Sequence, residues 1–228
     1  GKRKNSQDRR LTTFPRRNEG PRVAKNAHAV LSMLFEAAKA KTVSPLIAID
    51  LERIQQIFPK IALATYWQKV NDHVLKLLHT FNCIADSPSQ WTTFDRSELV
   101  HLLDSGVLTY GVTQFTSYDP VDMAKKVKES TERGLLARGY DWSVATAAAA
   151  IVVAGHGILA SLPSEAIERV VGSFASSLGT RGEDFVLHQG LYQGKSEDVR
   201  IYTMIGGLGM PVERMRELAS EAGTAGEG

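Results

Sequence analysis

The stretch from Tyr66 to Ala85 constrains this chain most. Its apolar residues, Val70, Val74, Leu75, Leu77, Leu78, Phe81 and Ile84, recur at helical spacing and occupy more than one side. Twenty residues make more than five turns, so the pattern predicts a buried, central helix around which the rest is arranged. Ahead of it, Pro21 opens a segment with Val23, Ala27, Val30, Leu31, Leu34 and Ala38 in register, which predicts a helix over 21–41. The run Pro45 to Ile49 is apolar at every position, as in a strand covered on both faces, and a helical turn is predicted at 51–57.

Behind the long helix, Asp86 to Thr93 has loop composition. Asp95 then stands in an N-cap position with Glu98 three residues on, predicting a short helix to about 104. Strand patterns at 107–115, 148–154, 183–191 and 198–205 alternate with helical patterns at 120–136, 163–178 and 211–221. The last two strands, joined around Gly194 and Lys195, read as a hairpin. The expectation is an α/β (α+β) fold: a long central helix followed by a mixed four-stranded sheet packed by helices.

With 43% hydrophobic and 23% charged residues over 228 positions, the chain is not of the disordered or low-complexity class. The longest near-apolar run, Ala145 to Ala154, is too short to span a bilayer, and no signal-peptide pattern opens the sequence. A single cysteine, Cys83, permits no intrachain disulfide and is read as part of the apolar stripe of the long helix. These features point to a cytoplasmic protein. Charge is uneven: residues 1–23 carry eight basic side chains against Asp8 and Glu19, although the net charge of the whole is only +2. No helix-turn-helix, zinc-finger or aromatic RNA-stacking pattern follows this arm, so nucleic acid is not the expected partner.

The six histidines form no i,i+4 pair and lie near no cysteine cluster, so no metal site is predicted. Gly155-His156-Gly157 follows a strand, but the helical pattern resumes only at Pro163, too late for a dinucleotide fingerprint. Gly206 to Gly209 reads as a strand-to-helix turn. One constellation remains: Thr93, Asp95 and Glu98. Carboxylates three residues apart share one helix face and can position a water beside a phosphate brought by another chain. The same residues make a helix-capping box, the reading favoured on local grounds alone.

The order of these segments resembles the second half of the FtsZ/tubulin superfamily, and particular residues agree. Phe14-Pro15-Arg16-Arg17-Asn18-Glu19-Gly20-Pro21-Arg22 resembles the family's Pro-Phe-x-x-Glu-Gly-x-x-Arg. Leu46 to Arg53 resembles the strand ending in Asn-Asp-Arg, and Asn71-Asp72-His73-Val74-Leu75 the Ala-Asp-x-Val-Leu of the central helix. Thr93-x-Asp95-x-x-Glu98 resembles Asn-x-Asp-x-x-Asp/Glu, and Glu197 to Ile205 the last core strand. The charge count sets a basic arm at 1–13; the resemblance, which begins at about residue 14, implies the remnant of a nucleotide-binding domain at 14–60 and the central helix at 61–86. An activation domain would follow at 87–210, with a terminal helix and tail at 211–228.

It further implies a cytoskeletal or cell-division GTPase subunit that polymerises head to tail with like or unlike subunits. Asp95, Glu98 and Thr93 would form the synergy loop that completes the GTPase site of the neighbour. Glu19, Arg22 and Asp72 would line this subunit's own half-pocket for GTP, with Mg accompanying the phosphates. There are departures. The glycine-rich phosphate loop of the family occurs nowhere and is expected upstream of residue 1, so the isolated chain should be inactive. Leu51 stands at the guanine-reading Asn, and Thr93 replaces the loop's Asn. A non-catalytic filament-binding or scaffold relative is the alternative.

Overall fold

In a computed structural model, residues 8–60, 62–115, 118–133, 135–179 and 182–223 are described. The elements are β1 (Asp8–Phe14), α1 (Pro21–Lys39), β2 (Val43–Asp50), α2 (Leu51–Ile57), α3 (Tyr66–Ala85), α4 (Arg96–Leu103) and β3 (Val107–Phe115). They continue with α5 (Pro120–Glu132), β4 (Ala147–Gly155), α6 (His156–Ser161), α7 (Ser164–Ser177), β5 (Val186–Gly194), β6 (Val199–Leu208) and α8 (Val212–Gly223). The six strands form one mixed sheet in the order β1-β2-β3-β6-β4-β5. The four strands that follow the long helix are contiguous, as expected, and β2 and β1 extend them.

Strand periodicity divides the interior in two. On β4, Ala148, Ala150, Val152 and Ala154 face a core shared with Leu31 and Phe35 of α1, Val127 of α5, Phe174 of α7 and Leu218 of α8. Ala147, Ala149 and Ile151 face the other core with Ile54, Val70, Phe81, Leu99 and Leu102 from α2, α3 and α4. The sheet is therefore covered on both sides, which is why β2 is buried at all eight positions.

The structure corrects several expectations. β5 and β6 are not a hairpin: β5 runs parallel to β4 at the edge, and β6 lies antiparallel between β3 and β4. The link between them crosses the end of β4, where the Gly155 amide donates to the Asp198 carbonyl and a Cβ on Gly155 would collide with Glu197. A helix, α6, starts directly after Gly155, earlier than Pro163. Gly206 to Leu208 belong to β6, not to a turn, and Gly207 adopts φ +75° against Thr146.

β1 occupies a stretch assigned to the basic arm and pairs in parallel with β2; Lys2, Arg3 and Lys4 lie outside the described residues. The helix expected over 120–136 closes at Glu132. The long helix buries one face, Tyr66, Val70, Val74, Leu77, Phe81 and Ile84, while Trp67 and Leu75 are exposed, because the sheet lies on one side of it. Cys83 is likewise exposed, not part of the core.

Candidate functional site

Thr93, Asp95 and Glu98 are brought together where the loop after α3 turns into α4. Phe94, fully buried between them, anchors the turn, so its neighbours point outward. Asp95 Oδ1 accepts from the Ser97 amide (2.7 Å), the Ser97 hydroxyl (2.7 Å) and the Glu98 amide (3.0 Å). Glu98 Oε2 accepts from the Asp95 amide at 2.9 Å, so the capping box is formed. It does not consume the site. Asp95 Oδ2 makes no hydrogen bond among the described residues, and the side chain is solvent-exposed. The Ser97 hydroxyl first, and the Glu98 amide second, hold the Asp95 carboxyl below the usual carboxylate range. Thr93 Oγ1 accepts from the Ser89 amide at 3.3 Å.

The turn rests on β5, across nearly a hundred residues of sequence. The Tyr192 hydroxyl accepts from the Phe94 amide (2.8 Å) and donates to the Phe94 carbonyl (3.1 Å). Thr92 bridges to Leu191, whose amide donates to the Thr92 carbonyl at 2.9 Å, and the Ser89 hydroxyl donates to the Leu191 carbonyl. His188 Nδ1 lies 3.0 Å from Glu98 Oε1, and its Nε2 lies 2.9 Å from His101 Nδ1. Beside this platform runs a groove of about 520 Å³ lined by His79, Cys83, Trp91, Tyr192 and Gln193 among others. Sequence reasoning found the two carboxylates and missed His188, His101 and Tyr192, since no local pattern announces a contact made across the fold.

The other candidate residues are dispersed. Glu19 accepts from the Arg16 amide at 3.0 Å, and its charge is felt by Tyr66 at the start of α3. Asp72 pairs with Lys76 at 3.0 Å, one turn along α3. No hydrogen bond or ion pair joins Glu19, Arg22 and Asp72 to one another. Leu51 is buried beneath α3, where its carbonyl accepts from the Tyr66 hydroxyl at 3.4 Å. An apolar side chain turned into the core has nothing to offer a base. Among the described residues, Glu19, Arg22, Asp72 and Leu51 are thus not gathered into one site. Among the described residues, no group of three or more His, Cys, Asp or Glu is placed to hold a metal ion.

The family described as "Tubulin-like protein TubZ, C-terminal domain" matches residues 92–212, more than half of the chain and all of α4 through β6, with Asp95, Glu98 and the β5 residues that meet them. The chain belongs to the TubZ family. No curated protein matches it. Among solved structures, the fold is similar to TubZ of Bacillus thuringiensis serovar israelensis in GDP-form protofilaments, with a TM-score of 0.83 and 22% identity over 96% of this chain and 57% of that one.

It is also similar to a GTPγS-bound protofilament of CetZ2 from Haloferax volcanii, with TM-score 0.66 and 18% identity over 95% of this chain and 61% of that one. A third is the FtsZ dimer of M. jannaschii, with TM-score 0.60 and 20% identity over 88% and 55% of the two chains. The mixed sheet packed by helices is thus that of the tubulin/FtsZ superfamily. This TubZ family member spans less than two thirds of each of these three structures. Among the described residues, no helix is long and apolar enough to cross a membrane.

Proposed function

We infer that this chain is the C-terminal part of a TubZ-like filament subunit, and that its α4 turn promotes GTP hydrolysis on the neighbouring subunit. The observation that carries this reading is the pair of carboxylates, Asp95 and Glu98, side by side on an outward turn held rigid by β5. Their environments give them different tasks. Asp95, held ionised by Ser97, is a weak base; its free Oδ2 orients the attacking water by accepting a hydrogen bond. Glu98 would receive the proton that the water gives up as its oxygen bonds to the terminal phosphorus and the bond from that phosphorus to the departing GDP oxygen breaks. The contact surfaces on the two subunits would differ, as a head-to-tail filament requires. GTP and its Mg would be supplied by the neighbour, whose phosphate loop cradles them.

The test is phosphate release from a GTP-loaded TubZ-like subunit that has its own phosphate loop but lacks the α4 carboxylates, with this chain added. Asp95→Ala and Glu98→Ala should each reduce stimulation by roughly a hundredfold. Undiminished stimulation by both variants would reject the reading and leave the scaffold. The burial of Leu51 favours the scaffold as the second reading, since a chain that cannot read guanine need not turn over. Titration with fluorescent GTP in magnesium buffer addresses that point. No saturable binding into the high micromolar range is expected, and tight binding would place a phosphate site in this chain.

A further inference from the structure

We propose that His188 is a positioning residue for Glu98, locking its carboxylate toward the neighbour's nucleotide; this rests on the reading of the α4 turn given above. The capping box alone leaves Glu98 half tethered. Its Oε2 accepts from the Asp95 amide, but a single hydrogen bond is a pivot about which the carboxylate can still swing, leaving Oε1 without a fixed direction. His188 removes that freedom. An ionised carboxylate only accepts, so the 3.0 Å contact makes Nδ1 of His188 the donor. In the neutral ring Nε2 is then an acceptor, and it meets His101 Nδ1 at 2.9 Å, which must in turn carry the hydrogen.

The result is a directional chain, His101 to His188 to Glu98, in which each ring fixes the tautomer of the next. It ends at His101 Nε2, on the exposed side of α4. The middle of the chain is shielded. The His188 side chain is only 11% exposed, with the Phe94 ring edge-on at 6.4 Å and the His101 ring perpendicular at 5.2 Å. Among the described residues, the charged and titratable groups facing it are Glu98, Asp95 and His101, from α4 and its N-cap; β4 presents Ala149 opposite it. An imidazole so confined has one orientation, and it passes that orientation to Glu98. The edge strand β5 is thereby made part of the activating surface.

The test uses the phosphate-release assay with His188→Ala, His188→Asn and Glu98→Ala. His188→Ala should lower maximal stimulation by roughly tenfold to a hundredfold, as loss of orientation does, while the concentration for half stimulation stays within about twofold. His188→Asn should recover most of the loss, because its amide donates from near the place of Nδ1. On the unmodified chain, nitrogen-15 NMR of the imidazoles should show His188 protonated at Nδ1. Full stimulation by His188→Ala, failure of Asn to do better than Ala, or an Nε2-protonated His188 would each overturn the proposal. Full stimulation by Glu98→Ala would instead overturn the role given to Glu98, and full stimulation by Asp95→Ala as well would overturn the reading of the turn, whatever His188 does.

Discussion

Asp50 and Asp95 do the same local job and meet opposite fates. Each ends an extended stretch and caps the helix that follows: Asp50 Oδ1 accepts from the Glu52 amide, Asp95 Oδ1 from the amides of Ser97 and Glu98. Asp50 is completely buried, and burial pushes its carboxyl up against the opposing pull of Arg214 and Arg138. Asp95 is exposed, and hydrogen bonds push its carboxyl down. The charge of Asp50 is spent inside the molecule. Arg214 of α8, itself fully buried, lies 3.5 Å from Asp50, donates to the Pro15 carbonyl and stacks over Phe14; Arg138 also lies 3.5 Å from Asp50 and pairs with Glu217 of α8. This knot ties the last helix to the strands where the chain begins. The carboxylate of Asp95 faces solvent.

The contrast is broken most directly at Arg214. Arg214→Leu leaves Asp50 buried with a weakened counter-charge, and should cost about 3–5 kcal/mol in urea unfolding followed by circular dichroism. The double variant Arg214→Leu with Asp50→Asn should recover a good part of that loss, since the stranded charge is gone. A cost below about 1 kcal/mol for the single variant would mean that Asp50 is not held by charge, and the two caps would be equivalent after all. On the α4 side the comparable variant is Tyr192→Phe. It strips the buried Phe94 amide of its partner and should cost about 1–3 kcal/mol, with faster hydrogen exchange at that amide. Unchanged stability and exchange would mean that β5 does not support the turn.

How much of this was legible beforehand follows from the range of each interaction. Most helices and strands were visible because helical periods and short apolar runs are written into consecutive residues, as in Leu46 to Ile49, apolar throughout because its alternate side chains enter separate cores; β1 and α6 carry no such pattern. The neighbours of a strand are not written there. Two strand patterns joined by a short polar link are indistinguishable from a hairpin until the link is seen passing over Gly155, with β4 between them. The polar, partly exposed make-up of β5 against the nearly fully buried β6 is what marks an edge strand and a central one. The same limit governs the site. Asp95 and Glu98 were found through their spacing, whereas His188 meets Glu98 only because the sheet returns ninety residues later. Asp50 fell between the apolar run ending at Ile49 and the helical turn predicted at 51–57; its tie to Arg214 of the last helix lies beyond any local signal.

Smaller effects appear in pH dependence. His73 on α3 is held below the ordinary imidazole value of 6.5 by burial first and by Arg53 second, against the edge of Phe58. The unfolded chain therefore takes up this proton before the folded one does. Stability should be fully present above pH 6.5 and fall as the pH drops below it, and His73→Phe should flatten that decline in denaturation midpoints between pH 7.5 and 5.5. An unaltered slope would mean that the ring is solvated.

The smallest change is expected at Asp95, and its sign separates the two caps. Because its folded carboxyl is depressed, Asp95 contributes stability above the ordinary value of 3.8, and loses that contribution as the pH falls through its folded value. Asp95→Asn retains an oxygen that can cap α4 but removes the charge, so it should shallow the acid limb of a stability profile slightly, below about pH 4. Asp50 has the reverse slope. Its folded carboxyl is raised, so between 3.8 and that higher value stability decreases as the pH rises, and Asp50→Asn should remove a decline rather than an increase. Measured as the difference from wild type across pH 2.5 to 6, the two substitutions should tilt in opposite directions. Parallel tilts would show that burial by the Arg214 knot does not outweigh its guanidinium charges, and that Asp50 and Asp95 differ only in where they sit.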